Sequence, residues 1–364
     1  MECCSLKIAL IQLNPVIGDF ENNCARIILY AHQAADLGCE LAVFPELAVS
    51  GYPPLDLLER ASFIEDHQAA VDAMILGLPP ISVMFGCFER CAEASGKPLH
   101  NSVFVARNRE IGHKTRKQLL PEYDVFDENR YFEPGKPGEL FSCGGLTIGV
   151  TVCEDIWHYA VDDYRSRPVA ELRELAARDG RSLDVLINVS ASPFHRGKTQ
   201  MRQSIFSSLI GQYQVPFLYV NQVGGQDSLL FDGASRALDG TGKTIARAAH
   251  FKEDMVVVDT DDWSGEIRNP NQFEEVELVH DALVMGVHDY VTKCGFSKAV
   301  LGLSGGIDSA LTAALAAKAL GPENVLGIAL PSPYSSKESL EDAEALARGC
   351  GCRFKVLPLS LIHI

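Results

Sequence analysis

The sequence contains no C-x-x-C pair, although 11 of its 364 residues are cysteines. This absence argues against a zinc ribbon and against a thioredoxin-like redox motif. Cys350 and Cys352 stand too close together, without further ligands nearby, to indicate a metal site. An odd number of irregularly spaced cysteines is typical of reduced thiols, so we expect a cytoplasmic protein.

Long apolar runs and positive charge are also scarce. No run of 18 apolar residues occurs, and the sequence therefore predicts no membrane-spanning helix. The 32 Lys and Arg residues against 48 Asp and Glu residues give a formal charge of −16, which argues against broad binding of nucleic acid or anionic membranes. The N-terminus resembles a strand and not a charged-then-apolar leader. The length favours two globular domains.

Strands and helices alternate along the chain. Up to about Asp259 the order is β-α-β-α with extra β-β pairs, which predicts an α/β layered domain. Lys114–Gly138 is expected to be irregular, because it is rich in proline, charge and aromatic residues. After a polar segment, Asp261–Asn271, the alternation restarts and predicts the beginning of a doubly wound parallel sheet. The predicted division is a domain at 1–260, a linker at 261–272 and an incomplete domain at 273–364.

The segment 145–157, GLTIGVTVCEDIW, contains the candidate nucleophile. Its β-branched run, Leu146–Val152, predicts a buried strand that stops at Cys153, directly before Glu154 and Asp155. A rigidly held thiol becomes a strong nucleophile once a neighbouring base removes its proton. An arbitrary cysteine is more often a small core residue, so this interpretation depends on finding partners for Cys153.

Two candidate partners lie earlier in the sequence. Glu46 follows a short buried strand and is placed to act as a base, although a glutamate after proline is more often a helix-starting acid. Lys117 is followed by an apolar pair, a proline and aromatic residues, unlike a solvent-facing lysine. An ammonium in that position would stabilise the oxyanion of a tetrahedral intermediate.

The segments AVFPEL, RKQLLP and VTVCEDIW resemble, in this order, the three motifs of the nitrilase (carbon–nitrogen hydrolase) superfamily. This resemblance implies an αββα sandwich and a triad of Glu46, Lys117 and Cys153. Lys114 is the weaker match, because the lysine of the family precedes a Leu-Pro segment by a few residues. Glu128 is a candidate second acid.

Further segments resemble the glutaminase domain of the glutamine-dependent NAD synthetase family; they are QLNPVIGDFENN, PELAVSGYPPLDLL, KQLLPEYDVFDENRYFEPG and VSASPFHRGK. The resemblance implies that Tyr123, Glu154, Ser192 and Lys198 bind L-glutamine. Glu154 would meet the substrate ammonium, and Ser192 with Lys198 would hold the substrate from the other side. One cation, one carboxylate and hydroxyl groups suit a zwitterionic amino acid.

A second motif, LGLSGGIDSA, lies between a predicted strand and a predicted helix. Paired glycines at such a turn let backbone N–H groups surround an anion, and the helix dipole assists. Ser304 and Ser309 can donate hydroxyls, and Asp308 can hold Mg²⁺. The segment also fits the G-x-S-x-G hydrolase elbow, but His363 is the one histidine that follows it and is a poor partner. No Walker A loop occurs.

SGGIDS resembles the signature of the N-type ATP pyrophosphatases, and LPSPYSSKESLEDAEALA resembles the NAD synthetase family. The resemblance implies ATP binding, with Mg²⁺ and no prosthetic group, at Gly302, Leu303, Ser304, Gly305, Gly306, Ile307, Asp308 and Ser309. The implied reaction is ATP-dependent amidation of deamido-NAD with ammonia from L-glutamine, the final step of NAD biosynthesis, in a homo-oligomer.

The synthetase domain of that family continues further than the segment present here. We therefore expect the dinucleotide-binding residues to be missing and this chain to keep only glutaminase activity. Two alternatives stay open on the sequence alone. One is a stand-alone nitrilase-type amidase with a vestigial ATP-binding domain, and the other is a non-catalytic ATP-binding module.

Overall fold

A computed structural model describes residues 6–92, 96–159, 164, 166–268 and 274–359. The chain forms two compact units, one of residues 1–224 with 230–272 and the other of residues 225–229 with 273–364. The predicted domain limits at 260 and 273 stay predictions. His363, and the part of the predicted linker that follows Arg268, lie outside the described residues.

The helices and strands up to residue 265 belong mainly to the first unit. Its described helices are α1 (Phe20–Asp36), α2 (Ala61–Gly77), α3 (Pro168–Arg178) and α4 (Lys198–Tyr213). The strands in the same range are β1 (Lys7–Gln12), β2 (Leu41–Val43), β3 (Ser82–Arg90), β4 (Leu99–Arg107), β5 (Glu110–Arg116), β6 (Phe141–Cys143), β7 (Leu146–Val152), β8 (Val185–Ser190), β9 (Phe217–Asn221), β10 (Val223–Gln226), β11 (Leu229–Asp232), β12 (Arg236–Leu238), β13 (Thr244–Arg247), β14 (Asp254–Asp259) and β15 (Ser264–Gly265).

These strands form two large mixed sheets and a hairpin. One sheet has the order β15-β14-β1-β2-β3-β4-β5, the other the order β13-β12-β9-β8-β7-β6, and β10 pairs with β11. Parallel pairing of β7 with β8 and of β8 with β9 places the carboxyl ends of these strands at one edge. Cys153 follows β7 directly, so the second sheet carries the candidate nucleophile to that edge.

Three apolar cores give the first unit four layers. The central core joins the two sheets through residues such as Leu10 and Val150. The other sides of the sheets pack on helices, with Ile27 of α1 and Met74 of α2 on the first sheet and Phe206 of α4 on the second. This αββα arrangement confirms the predicted fold class.

The expectation that Lys114–Gly138 is irregular is wrong at its beginning. Lys114, Thr115 and Arg116 belong to β5, which pairs antiparallel with β4. His113 and Thr115 are buried whereas Lys114 lies exposed between them, which is the alternation of a strand with one covered face. The charged residues mask this period in the sequence, and charge is a common protection of an edge strand.

The second unit contains a parallel sheet with helices, as the sequence predicts. Its further elements are α5 (Glu275–Lys293), β16 (Ala299–Gly302), α6 (Ile307–Leu320), β17 (Val325–Ala329), α7 (Lys337–Cys350) and β18 (Arg353–Val356). The strand order is β16-β17-β18, with both pairs parallel. Leu303 packs with Ala313 of α6 and Ala343 of α7 in its core. Among the described residues of both units, no helix has the length and apolar character needed to cross a membrane.

Candidate active site and nucleotide loop

Glu46 lies at the turn after β2 and is fully buried. Its Oε1 atom accepts hydrogen bonds from Lys117 Nζ at 2.8 Å and from Asn101 Nδ2 at 2.7 Å, and its Oε2 atom accepts the N–H of Ala191 at 2.8 Å. Gly86 of β3 leaves the room for this turn, because an added Cβ would stand 2.5 Å from the Cα atom of Glu46. A carboxylate held on both oxygens has one fixed orientation.

Lys117 is the lysine that the fold buries beside Glu46. It is 1% exposed, and its Nζ atom also donates to Glu128 Oε1 at 2.7 Å. Burial opposes its charge, but Glu128 and Glu46 outweigh burial and hold the pKa of Lys117 well above its usual value. Lys114, the alternative lysine, pairs with Glu89 at 2.8 Å and its side chain is 44% exposed. The geometry therefore favours Lys117.

Cys153 is buried at the carboxyl end of β7, where its backbone φ is +40°. A residue with a Cβ rarely adopts this conformation, and such strain is found at functional turns. Burial, and then the charge of Glu46, raise the pKa of the Cys153 thiol well above its usual value, while Lys117 lowers it. The resting sulfur is therefore a protonated thiol that needs a base.

Glu128 is a second buried carboxylate on Lys117, and its supporting residues were not found from the sequence. Burial is the main cause that raises the pKa of Glu128. Tyr52 donates its hydroxyl to Glu128 Oε1 at 2.8 Å, and Asn101 lies between Glu46 and Glu128. The signal for Tyr52 was its place in the GYPP segment, whereas no local pattern indicates Asn101.

Glu154 and Tyr123, two of the predicted glutamine-binding residues, contact each other. The Tyr123 hydroxyl lies 3.1 Å from both carboxylate oxygens of Glu154, and Tyr164 donates to Glu154 Oε1 at 2.8 Å. Burial raises the pKa of Glu154. Sequence reasoning missed Tyr164. The two hydroxyls fix the direction in which this acid presents its charge.

Ser192 and Lys198, the other two predicted glutamine-binding residues, are buried like Glu154, whereas Tyr123 is 42% exposed. Arg202 donates to the Ser192 carbonyl at 2.8 Å and to its Oγ atom at 3.3 Å. Lys198 Nζ lies 3.9 Å from the ring centre of Trp157, and burial, followed by the charge of Arg202, lowers the pKa of Lys198 to about 8. Arg202 and Trp157 were not identified from the sequence.

In the second unit, the SGGIDS segment forms a turn from β16 into α6. Gly305 has a φ of +81°, and a Cβ there would stand 2.4 Å from the Ser339 carbonyl oxygen, so glycine is required. Ser304 Oγ accepts the N–H of Gly306 at 3.2 Å and lies 3.1 Å from Ser309 Oγ. The turn delivers hydroxyls and a helix N-terminus to one place, as an anion site requires.

A cavity of about 350 Å³ opens beside this turn. It is lined by Gly302, Leu303, Ser304, Ile328, Ala329, Leu330, Pro331, Ser335, Ser336, Ser339 and Leu340. Asp308 lies in the first turn of α6, and within the described ranges no group of three or more His, Cys, Asp or Glu residues is arranged so that it could hold a metal ion. One carboxylate fits Mg²⁺, which keeps several waters and uses substrate phosphates as ligands.

The four-layer sandwich, with a thiol, a lysine and two carboxylates buried at its strand ends, defines the nitrilase-like class of α/β proteins. The carbon–nitrogen hydrolase family model matches residues 7–269. Because this match covers well over half of the chain, the chain belongs to the carbon–nitrogen hydrolase family. The NAD synthase family model matches residues 279–363.

Curated relatives combine the same two segments. A glutamine-dependent NAD(+) synthetase of Synechocystis sp. is 43% identical over 98% of this chain and 65% of the relative. A protein of the same name from Thermotoga maritima is 37% identical, again over 98% of this chain and 65% of the relative. The chain thus spans just under two thirds of the length of these relatives.

Solved structures show the same fold. A glutamine-dependent NAD+ synthetase of Acinetobacter baumannii, solved with adenosine diphosphate, superposes with a TM-score of 0.88 at 35% identity, covering 98% of this chain and 65% of that chain. A nitrilase-superfamily amidase of Nesterenkonia has a TM-score of 0.59 at 20% identity, covering 71% of this chain and 91% of that chain. The amidase supports the fold of the first unit alone.

Proposed function

We propose that the chain carries the glutaminase site and part of the synthetase site of a ligase that converts deamido-NAD to NAD. Ammonia comes from L-glutamine, and ATP activates the acceptor. The buried contacts among Glu46, Lys117 and Glu128 next to Cys153 carry the first half of this proposal. Likeness to the named synthetases along nearly the whole chain supports the second half.

In the first site, Glu46 removes the thiol proton and Cys153 attacks the amide carbon of glutamine. Lys117 and a backbone N–H stabilise the oxyanion. The C–N bond breaks, ammonia leaves with the proton, and a thioester remains. Water then attacks the thioester with Glu46 as base, releasing glutamate and restoring the thiol.

Four residues would recognise the amino-acid end of glutamine. Glu154, held by Tyr123, would meet the ammonium, and Ser192 with Lys198 would meet the carboxylate. The site keeps Lys198 under 10% exposed, and a charge-assisted hydrogen bond is strong in such surroundings. These assignments are supported by the placement of a buried acid, Glu154, and a buried cation, Lys198, close to Cys153. The thiol of Cys153 influences the pKa of Lys198.

In the second site, ATP would occupy the turn Gly302–Ser309. Adenylation of the deamido-NAD carboxylate releases pyrophosphate, and ammonia then displaces AMP to form the amide. Asp308 would hold Mg²⁺, which neutralises charge on the phosphates when bound. The hydroxyls of Ser304 and Ser309 and the cavity beside them support this assignment.

A cytoplasmic location belongs to the same proposal. The cysteines in the described part of the chain are free thiols. Among them are Cys24, Cys39, Cys87 and Cys143 of the first unit. Unpaired thiols are typical of a reducing compartment. The homo-oligomeric state stays a prediction.

Isotope transfer tests the proposed reaction. Glutamine labelled with ¹⁵N in its amide group is supplied with ATP and deamido-NAD to a protein in which this chain is joined to a complete synthetase domain, and mass spectrometry follows the label. Label in the NAD carboxamide is expected there, whereas the 364-residue chain by itself is expected to release labelled ammonia without forming NAD. Release of labelled ammonia with no NAD formed by the longer protein would instead favour the stand-alone amidase, and release of neither would favour a non-catalytic ATP-binding module.

A variant tests the nucleophile in the same assay. Cys153→Ala is expected to abolish glutamine hydrolysis and to leave ATP binding unchanged, because the thiol and the SGGIDS turn belong to different units. Cys294→Ala, at an exposed cysteine, is the matched control. A glutaminase rate near that of the unmodified protein in Cys153→Ala would contradict the assignment.

A further inference from the structure

Asp155, two residues after the candidate nucleophile, binds the backbone of two segments of the site. It is 1% exposed. Its Oδ1 atom accepts the N–H groups of Gln118 and Leu119, each at 2.9 Å, and its Oδ2 atom accepts the N–H of Val152 at 2.9 Å. One carboxylate therefore connects the residues directly after Lys117 with the residue directly before Cys153.

Both segments need such an acceptor. Gln118 and Leu119 lie in a stretch without helix or strand, so their N–H groups have no ladder to join, and a buried N–H without a partner is costly. Cys153 has a positive φ, a conformation that persists only where surrounding contacts impose it. Burial raises the pKa of Asp155 to about 7, and the N–H groups of Val152 and Leu119 oppose that rise because they stabilise the ionised carboxylate. Hydrogen bonds to an ionised acceptor are among the strong ones in proteins.

The neighbouring acid, Glu154, has different contacts. Its carboxylate accepts two tyrosine hydroxyls, whereas Asp155 accepts main-chain N–H groups. Glu46, in turn, is oriented by Asn101 and by the N–H of Ala191. Among these three acids, Asp155 is the one that accepts from both the lysine segment and the cysteine segment.

We propose that Asp155 is a positioning residue that sets the Lys117 ammonium against the Cys153 thiol. Small displacements of reacting groups slow catalysis far more than they weaken substrate binding. The effect should therefore appear in kcat and not in KM. This inference rests on the proposed roles of Lys117 and Cys153, but not on the identity of the amide substrate.

The test is Asp155→Asn, which keeps the size of the side chain and replaces one accepting oxygen by an NH₂ group. In the full-length protein, kcat for glutamine hydrolysis should fall by about 10-fold to 100-fold, with KM within about threefold of its original value. Asp184→Asn is the matched control, because Asp184 accepts the N–H of Thr147 at 2.8 Å at the far end of β7. In Asp184→Asn, both kcat and KM for glutamine hydrolysis should stay unchanged.

A second measurement separates positioning from stability. Alkylation of Cys153 by iodoacetamide, followed by peptide mass spectrometry across pH, reports the apparent pKa of the thiol without any substrate. Glu46, Lys117, Glu154 and Glu128 are among the charged groups that influence this thiol, and Lys198 and Arg202 act on it as well. Displacement of Lys117 should raise the thiol pKa, whereas loss of the Asp155 charge by itself would lower it. A shift of the alkylation profile to higher pH in Asp155→Asn therefore reports displacement of Lys117. A purely structural role would lower the melting temperature and give no shift to higher pH.

Asp155→Glu keeps the charge and should show a smaller loss of kcat in the same direction. An unchanged kcat and an unchanged alkylation profile in either folded variant would overturn the proposal. Failure of both variants to fold would assign Asp155 to stability alone, and this outcome would also overturn the proposal. If Cys153→Ala kept glutaminase activity, the proposed function would fail, and that outcome is read independently of Asp155.

Discussion

At the scale of single residues, the most demanding feature is a lysine buried with two carboxylates. Lys117 lies within 2.8 Å of Glu46 and 2.7 Å of Glu128, and all three side chains are at most 5% exposed. Removing one member of a buried ionic cluster leaves an unpaired charge, which is strongly destabilising. Each member of the cluster therefore compensates the buried charge of the others.

Substitutions that keep the shape of these residues test their chemical roles. Glu46→Gln cannot accept the thiol proton, and Lys117→Met keeps the aliphatic stem without the charge. Each should lower glutaminase kcat by about 10²-fold or more, judging by losses of general bases and oxyanion donors elsewhere. Steady-state kinetics at pH 7.5 measure the loss, on variants whose circular dichroism spectra and melting transitions show that they are folded. Lys114→Met is the matched control, and equal losses at Lys114 and Lys117 would show that the lysine is misassigned.

Lys198 gives a prediction about pH. Since its pKa is lowered to about 8 by burial and by Arg202, its ammonium is lost as the pH rises through 8, and carboxylate binding weakens with it. KM for glutamine should rise above pH 8. Lys198→Ala should raise KM at pH 7 by about 10-fold, the scale of one hydrogen bond to a charged group.

Butyramide, which lacks the carboxylate, separates binding from structure in this experiment. The Lys198→Ala variant should hydrolyse butyramide as fast as the unmodified protein. Lys243→Ala, at an exposed lysine, should leave the hydrolysis of both substrates unchanged. An equal loss on glutamine and butyramide would assign Lys198 to the structure of the site.

At the scale of elements, the candidate site exists because strands of both sheets end near one another. Glu46 follows β2, Cys153 follows β7, and Ser192 follows β8. The Glu46 backbone N–H donates to the Ser190 carbonyl of β8 at 3.4 Å, which joins the turns of the two sheets. Catalytic geometry in this unit therefore depends on how closely the neighbouring strands let these turns approach.

Gly86 of β3 tests that dependence. In Gly86→Ala the new Cβ would stand 2.3 Å from the Leu47 nitrogen and 2.5 Å from the Glu46 Cα atom, so the turn has to move. Glutaminase kcat should fall by up to about 10²-fold, as expected for a displacement near 1 Å. Gly112→Ala in β5 meets nothing within 4 Å and is the matched control. A Gly86→Ala protein within twofold of normal kcat would contradict this account.

At the scale of the whole molecule, buried histidines make the free energy of unfolding sensitive to acid. His67 is 1% exposed, and its ring stacks on Phe88 with 3.7 Å between ring centres. Burial lowers the pKa of His67 to about 3. Below pH 6.5 the unfolded chain binds a proton at this residue that the folded chain does not. The stability that neutral His67 contributes is thus present above pH 6.5 and is lost as the pH falls towards 3.

Replacing this histidine should reduce the acid sensitivity. One proton changes the free energy of unfolding by about 1.4 kcal/mol per pH unit, so His67→Phe should show a slope smaller by about this amount between pH 6 and 4. Denaturant titrations at several pH values measure the slope. Buried acids such as Glu128 and Glu154 oppose the trend but cancel in the comparison. His32→Phe, at an exposed histidine, should keep the original slope, and an unchanged slope in His67→Phe would contradict the prediction.

Local patterns in the sequence carry much of the fold. Periods of two and of 3.6 residues are read over a few neighbours, and they predict a buried strand at Leu146–Val152, where the structure has β7. The same patterns predict the parallel sheet of the second unit. Short motifs also select Glu46, Lys117 and Cys153 as candidates, because each stands at a predicted strand end or in an atypically apolar setting.

Tertiary structure alone decided which polar groups meet. Asn101 contacts Glu46 across 55 positions and Lys117 contacts it across 71, and no local period encodes such pairs. They follow from strand register: Lys114 projects from the pairing of β5 with β4 to the side of Glu89, while Lys117, just beyond β5, is buried. Exposure and partner choice therefore depend on how the sheets stack, and only the packed chain fixes the desolvation that gives Lys117 and Cys153 their chemistry.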